Sequence, residues 1–391
     1  MSSDTPEYTP YQPLALPPGM DTATPPRVFG TAARYIQGEG VIDYAGHYLS
    51  RLGFGRCALL ASARGLQAEG KRVLASAESA GLQTEVATFS GECSREEIHR
   101  HVDALKALAT PVDGVVAVGG GKIVDAGRAI AHRLKVPVAV VPTLASNDAP
   151  CAAVSVIYTP EGVTEDAEIY DQNPALVLVD SGVIVRAGER YLAAGMGDAM
   201  ATWYEARACA RAPHGITVYG GRPTLAATAL SELCAKTIYD EGEAALEAVR
   251  RKQVNEPLER VIEANTLLSG LGYESGGLAV AHAVAQGYTV IPTVHEQFLH
   301  GEMVAMGVLA QLALESSQEE LEKAATFFAA VGLPVHLRQL NLAADNPEHL
   351  QPIVAAAMAF PFIGNMPFTV TGERLLQALL DADRTGRAIA S

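Results

Sequence analysis

The feature that most constrains this chain is a series of short runs in its first half, most of them apolar at consecutive positions. They occupy residues 56–61, 84–89, 114–118, 138–141, 155–158 and 176–179. A strand that is apolar on both sides must be covered on both faces, as in a parallel sheet sandwiched by helices. Helical stretches alternate with these runs from Arg27 to about Val185, as a doubly wound α/β domain requires. The clearest helix opens at Ser94, whose hydroxyl can cap while Glu97 reaches back, with Ile98, Val102 and Leu105 on one face. A second helix is expected after Lys122.

Beyond Arg186 the strand signals fade. Segments 223–239, 257–268, 301–314 and 318–330 repeat apolar residues at spacings of three and four, which predicts helices. The expected organisation is a Rossmann-like α/β domain over 27–187 and an all-α domain over 188–391. Such a pair would leave a cleft, and ligands favour the carboxyl ends of parallel strands. Residues 1–26 carry seven prolines without a period that could bury a face, so they read as a flexible or surface-draped extension without a catalytic role.

Charge and composition exclude several function classes. With 44 acidic against 29 basic side chains the net charge is −15, which disfavours nucleic acid and anionic membrane surfaces as partners. No apolar run reaches the roughly 18–20 residues that span a bilayer. The five cysteines, at 57, 93, 151, 209 and 234, form neither a CxxC pair nor a dense framework, which fits a reducing cytoplasm without disulfides. The start of the chain has no basic end, apolar stretch and cleavage site of a secretory signal, so a cytoplasmic location is expected.

The run at Val115–Val118 passes straight into Gly119, Gly120, Gly121 and Lys122, with Asp125 one helical turn on. Glycines permit positive φ and let backbone N–H groups approach a pyrophosphate, while the following helix adds a favourable field. The loop is not a Walker motif, because Val116 and Ile123 stand where that motif needs Gly and Ser or Thr, and Val124 breaks GxGxxG. A tight turn before a packed helix is the competing reading. After the next strand, Thr143, Ser146 and Asn147 can serve ribose or phosphate oxygens, and Asp148 can accept a hydrogen bond from a substrate hydroxyl. Such a cluster is equally a turn or a helix cap.

Asp198, in Gly195-Met196-Gly197-Asp198-Ala199, is expected at the start of a helix. His282 lies among small apolar residues, and His300 follows 18 positions later. One carboxylate and two imidazoles can hold a divalent ion and leave positions open for water or substrate. Spacing leaves this reading open beside that of satisfied core histidines. His295, His132 and His99 carry no separate argument, and Cys151 has no legible His-Asp partnership. Trp203 and Tyr204 read as packing residues.

Taken in order, several blocks resemble the glycerol dehydrogenase branch of the iron-containing alcohol dehydrogenase superfamily. They are Phe89-Ser90-Gly91-Glu92-Cys93, the Gly119–Lys122 loop with Asp125, Pro142 through Pro150, Ser155 through Thr159, Gly195 through Ala199, Glu263-Ala264-Asn265, Glu274 through Gly277, and His300-Gly301-Glu302. The resemblance covers nearly everything from Arg27 onward. It implies the dehydroquinate synthase-like two-domain fold, with NAD or NADP on the glycine loop and contacts at Gly121, Thr143, Val154 and Tyr158. It also implies one zinc, in some relatives iron, on Asp198, His282 and His300, with Asp148 contacting the polyol. The implied reaction is oxidation of glycerol to dihydroxyacetone, or of a related vicinal diol, by a cytoplasmic homo-oligomer.

Two departures qualify the resemblance. Where NAD-using relatives carry an acid after the first strand, Leu60-Ala61-Ser62-Ala63-Arg64 has none, and Ser62 with Arg64 can bind a 2′-phosphate, so NADP should be accepted. Glu296-Gln297 stands where relatives often place further histidines, which bears on the substrate more than on the metal. Rival readings are an NADP-dependent hydroxycarboxylate dehydrogenase, which needs a cation near the site, and a non-catalytic nucleotide sensor, which the three ligands together disfavour. Enzymes of phosphorylated substrates need more basic residues than the motifs offer.

Overall fold

The structure, a computed structural model, describes Leu16 and residues 25–391. The rest of the proline-rich extension lies outside the described residues. Two compact units divide the chain, one comprising Thr31–Leu144 and Ala149–Ala187, the other residues 25–30, Ala145–Asp148 and Gly188–Ser391.

The first unit is built on a six-stranded parallel sheet. Its strands are β1 (Tyr35–Gly38), β2 (Arg56–Ser62), β3 (Gln83–Phe89), β4 (Gly114–Gly119), β5 (Val138–Pro142) and, after the two strands of a separate ribbon, β8 (Leu176–Asp180), in the order β1-β8-β5-β4-β2-β3. Every residue of β4, β5 and β8 is buried, which explains their unbroken apolar sequences. Alternation still sets the faces. Leu59, Val116, Val118, Val141, Leu176 and Leu178 share one core cluster with Ile42 and Leu49. On the other face the helix Gly121–Leu134 comes so close that a Cβ at Gly127 would lie 2.5 Å from the Cβ of Ala117.

Two details differ from the sequence reading. Residues 155–158 do not join the sheet: β6 (Val154–Tyr158) pairs antiparallel with β7 (Thr164–Ile169) in a ribbon, and its burial alternates along the strand. One covered face is enough for a ribbon, and here it is the face of Ser155 and Ile157, while Val154, Val156 and Tyr158 stay half-buried. At the expected capping box, Ser94 does accept the Glu97 N–H at 3.2 Å, but Glu97 does not reach back to it. Its carboxylate accepts the Ser90 N–H at 2.8 Å and is flanked by Arg100 and His101, while the Ser94 N–H goes to the Glu92 carbonyl.

A buried ionic network fastens the ribbon to the helix Gly121–Leu134. Arg133 donates to both oxygens of Glu168 at 2.9 and 2.7 Å, and the Tyr170 hydroxyl donates to the same carboxylate at 2.8 Å. Arg128 binds Asp125 at 2.6 Å and the Ala149 carbonyl at 2.7 Å. Ser155 donates to the Asp125 carbonyl. Burial pushes the Asp125 carboxyl up to about 6, against the pull of Arg128.

The second unit is helical. Its longer members are Glu189–Arg211, Leu225–Arg251, Val280–Tyr288, His300–Leu314, Gln318–Ala330, Pro347–Met358 and Gly372–Ala390. The short helix Glu256–Glu263 runs on through a π-turn at Ala264–Leu268 into Ser269–Gly276. Thr224, Asn255 and Thr371 cap three of these helices, each side chain accepting a first-turn N–H. His300–Leu314 is apolar all round because it is the central helix, with thirteen of its fifteen residues buried. The chain at Pro26 and Val28 joins this unit by pairing with Arg222, whose N–H donates to the Pro26 carbonyl at 2.7 Å. Among the described residues no helix is long and apolar enough to cross a membrane.

Truncating Glu168 to Ala strands the buried Arg133 guanidinium, so E168A is expected to lose about 3–5 kcal/mol of stability. Urea denaturation measures this, and a loss under about 1 kcal/mol contradicts the assigned role.

Candidate metal centre

Three glycines decide whether the helices of the second unit can bring their polar side chains together. A Cβ at Gly197 would lie 2.4 Å from the Gly301 carbonyl oxygen, and one at Gly301 would lie 1.8 Å from the Ala194 oxygen. At Gly195 it would meet the Ala145 oxygen at 2.0 Å and the Asn265 amide at 2.3 Å. Asp198 therefore sits in the middle of Glu189–Arg211, not at a helix start as the sequence reading expects. The glycines around it are contact points between backbones rather than helix breakers.

The close approach brings His300, at the start of its helix, and His282, in the first turn of Val280–Tyr288, onto Asp198. Asp198 Oδ1 lies 3.5 Å from His282 Nε2 and 3.4 Å from His300 Nε2. Atoms about 2.1 Å from a shared tetrahedral ion stand about 3.4 Å apart, so both distances to Asp198 are those of ligands, and the three donor atoms all lie within 4.8 Å of one another. Asp198 Oδ1 is also buried without a hydrogen-bond partner among the described residues. An orphaned anionic oxygen facing two imidazole nitrogens fits a divalent cation. Asp198 is fully buried and the His282 side chain nearly so, whereas that of His300 is 49% exposed.

Asp148 belongs to the same cluster. Its N–H donates to Asp198 Oδ2 at 3.1 Å, and its carboxylate accepts the Ser269 hydroxyl at 3.2 Å, with Thr202 2.8 Å beyond. Asn265 holds this loop by donating to the Ala145 carbonyl at 3.0 Å and the Leu192 carbonyl at 3.2 Å. Burial, and then the charge of Asp198, push the Asp148 carboxyl well above the carboxylate range. Burial works against the charge of Asp198 too, but His300 and His282 outweigh it and hold its carboxyl below the usual range.

Sequence reasoning missed three residues here. Glu205, fully buried, lies 2.6 Å from His282 Nδ1. Its position seven residues after Asp198, two turns along one helix face, was the available signal. Arg190 grips both oxygens of Glu302 at 2.7 Å and the Gln297 carbonyl, while Glu302 accepts the Leu299 N–H. Asn265, quoted in a motif without a role, is the anchor described above. Gln297 also accepts from Asn341 at 2.9 Å.

Most of the expected cofactor residues lie at or just beyond the carboxyl ends of β2, β4 and β5 in the first unit. Gly119 ends β4, and Gly120 caps the helix that opens at Gly121. None of the three loop glycines has positive φ, contrary to the sequence reading. Packing constrains two of them instead: a Cβ at Gly119 would lie 2.5 Å from Ile123 Cδ1, and one at Gly120, less tightly, 3.2 Å from Leu144 Cδ1. Thr143 donates its N–H to the Gly119 carbonyl at 3.1 Å. Lys122 pairs with Glu92 at 2.7 Å and stands 5.7 Å from the centre of the Tyr158 ring. Asp125 turns inward to Arg128, so its carboxylate is not presented at the loop. Ser62 ends β2 and accepts the Gly65 N–H at 3.1 Å; Arg64 beside it is exposed. Val154 begins β6, half-buried, while Ser146 falls with Asp148 in the helical unit.

Residues 32–181 match the family model of the iron-containing alcohol dehydrogenases. The chain is 46% identical over 373 residues to a glycerol dehydrogenase of Escherichia coli O6:H1, spanning 92% of this chain and 98% of that protein. A Pseudomonas putida glycerol dehydrogenase is 44% identical over 365 residues, with the same shares. Among solved structures, that of a probable glycerol dehydrogenase from Sinorhizobium meliloti 1021 matches with a TM-score of 0.85 and 36% identity, covering 93% of this chain and all of that one. Fold and comparisons together define the class: an oxidoreductase that works with a dinucleotide and a divalent metal. The chain belongs to the iron-containing alcohol dehydrogenase family.

Adding one methyl at Gly197 must push two helices apart. G197A is expected to lose about 1–3 kcal/mol of stability and most of its bound metal. Thermal unfolding and elemental analysis check both; a variant with full metal content contradicts this account of the glycine.

Proposed function

We propose that the chain oxidises glycerol, or a close vicinal diol, to the hydroxyketone, using a divalent ion held by Asp198, His282 and His300. The observation that carries this reading is the orphaned Asp198 Oδ1 facing two imidazole nitrogens, with Asp148 hydrogen-bonded to the other oxygen of the same carboxylate. The relatives named glycerol dehydrogenase support the substrate. Two nitrogens and one oxygen make a donor set that suits zinc and also accepts iron.

When bound, the cation supplies Lewis acidity that eases loss of the hydroxyl proton and stabilises charge on oxygen during hydride transfer to the nicotinamide. The protein's own part is positional. Asp148, held by Ser269 and by its backbone contact to Asp198, offers a carboxylate oxygen to a neighbouring hydroxyl of the polyol. Asn265 fixes that loop through two backbone carbonyls, so the offer is made from a rigid place.

On the dinucleotide, the first-turn N–H groups of Gly121–Leu134 suit the pyrophosphate. Ser62 ends β2, which lies beside β4, and Arg64 stands in the turn that follows; with no acid at this position an adenosine 2′-phosphate meets a cation instead of repulsion. We infer that NADP is accepted as well as NAD.

His300→Ala is expected to lower kcat by about 100-fold or more, whereas Asp148→Asn should mainly raise KM for glycerol, by about tenfold. Steady-state kinetics on zinc-loaded protein separate the two. If H300A retains wild-type kcat, the metal reading fails. Arg64→Ala should lower kcat/KM for NADP by about tenfold or more and leave NAD nearly unchanged. A hundredfold preference of the wild type for NAD rejects the NADP inference.

A further inference from the structure

We propose that Glu205 is a positioning residue that fixes the proton of His282 on Nδ1, leaving Nε2 as the ligand atom and thereby setting the affinity of the centre for its cation. The inference rests on the reading of Asp198, His282 and His300 as a ligand set.

A neutral imidazole carries one N–H and one lone pair, and only the lone pair can bind a metal. The partner of the other nitrogen decides which tautomer is present. Here that partner is committed on both of its oxygens. Glu205 Oε1 accepts the N–H groups of Ala279 and His282, each at 2.8 Å, where the helix Val280–Tyr288 begins. Glu205 Oε2 faces His282 Nδ1 at 2.6 Å. A carboxylate is an acceptor only, so Nδ1 must be the donor. The ring then turns the lone pair of Nε2 toward Asp198 Oδ1, 3.5 Å away. One buried side chain thus holds the backbone that carries the ligand, the ring's rotation and the ring's proton.

The same contacts say what an almost isosteric change would do. In Glu205→Gln the amide oxygen must face the two backbone N–H groups, because turning the NH2 toward them would set donor against donor twice. The NH2 then faces Nδ1, which can meet it only with a lone pair. The ring proton moves to Nε2, and the ligand atom is blocked while the helix start stays satisfied.

The test uses the full-length chain with Zn²⁺ as the probe, titrated against a chromogenic chelator, together with nitrogen NMR of ¹⁵N-histidine-labelled protein. His282 of the zinc-loaded wild type is expected to show its one proton on Nδ1, and zinc-free E205Q, at alkaline pH where the ring is neutral, to show it on Nε2, with zinc affinity lowered by about 10–100-fold. Asp198→Asn serves as the control for the centre itself. A wild type that binds zinc no better than D198N overturns the ligand set, and the inference with it. If the wild type binds zinc tightly but E205Q binds within threefold of it, or if wild-type His282 carries its proton on Nε2, the role of Glu205 is overturned and the ligand set stands. The wild-type spectrum reads the tautomer even if the variant folds poorly.

Discussion

The centre of the helical unit is a concentration of negative charge that needs a positive one. Asp148, Asp198 and Glu205 are all buried: Asp198 faces two imidazoles at ligand distance, Glu205 is hydrogen-bonded to one of them, and Asp148 is tied to Asp198 through its N–H. Removing a carboxylate from water costs several kcal/mol even after relaxation. Here backbone N–H groups, a serine hydroxyl and an imidazole N–H satisfy most of the acceptor oxygens, and Asp198 Oδ1 is left over. The unit is thus organised around an oxygen without a hydrogen-bond donor among the described residues. The glycine contacts exist because that oxygen and the two ring nitrogens come from helices that must touch backbone to backbone.

The sheet was legible where burial is complete. β2, β4, β5 and β8 read directly as apolar runs because helices cover them on both sides. β1 was not visible, being four half-buried residues at an edge, and neither was β7, whose Thr-Glu-Asp-Ala-Glu-Ile sequence is polar and held by ion pairs. β1 owes its strand character to β8, far away in sequence, and β7, although it pairs with the adjacent β6, is held by Arg95 and Arg133 from distant helices. That is information a local pattern does not contain.

The site divides in the same way. Asp198, His282 and His300 were named through resemblance; their spacing alone could not distinguish ligands from core histidines, and their convergence is a tertiary fact. Glu205, Arg190 and Asn265 bind partners 77, 112 and 120 residues away, with only the two-turn interval between Asp198 and Glu205 as a local trace. At the β4 loop the sequence reading offered both positive φ and close approach of backbone N–H groups; none of the three glycines has positive φ, and at Gly119 and Gly120 neighbouring side chains crowd the place of a Cβ.

The backbone contacts at Gly197, Gly301 and Gly307 carry one more implication. At Gly307 a Cβ would lie 2.1 Å from the Ala281 carbonyl oxygen, so the central helix is hemmed in along its length and leaves no space in which to remodel its interior. Diversification of such a scaffold toward other alcohols has to proceed at its solvent-facing margin, around Glu296, Gln297 and the exposed edge of His300, where side chains can be exchanged without prising helices apart.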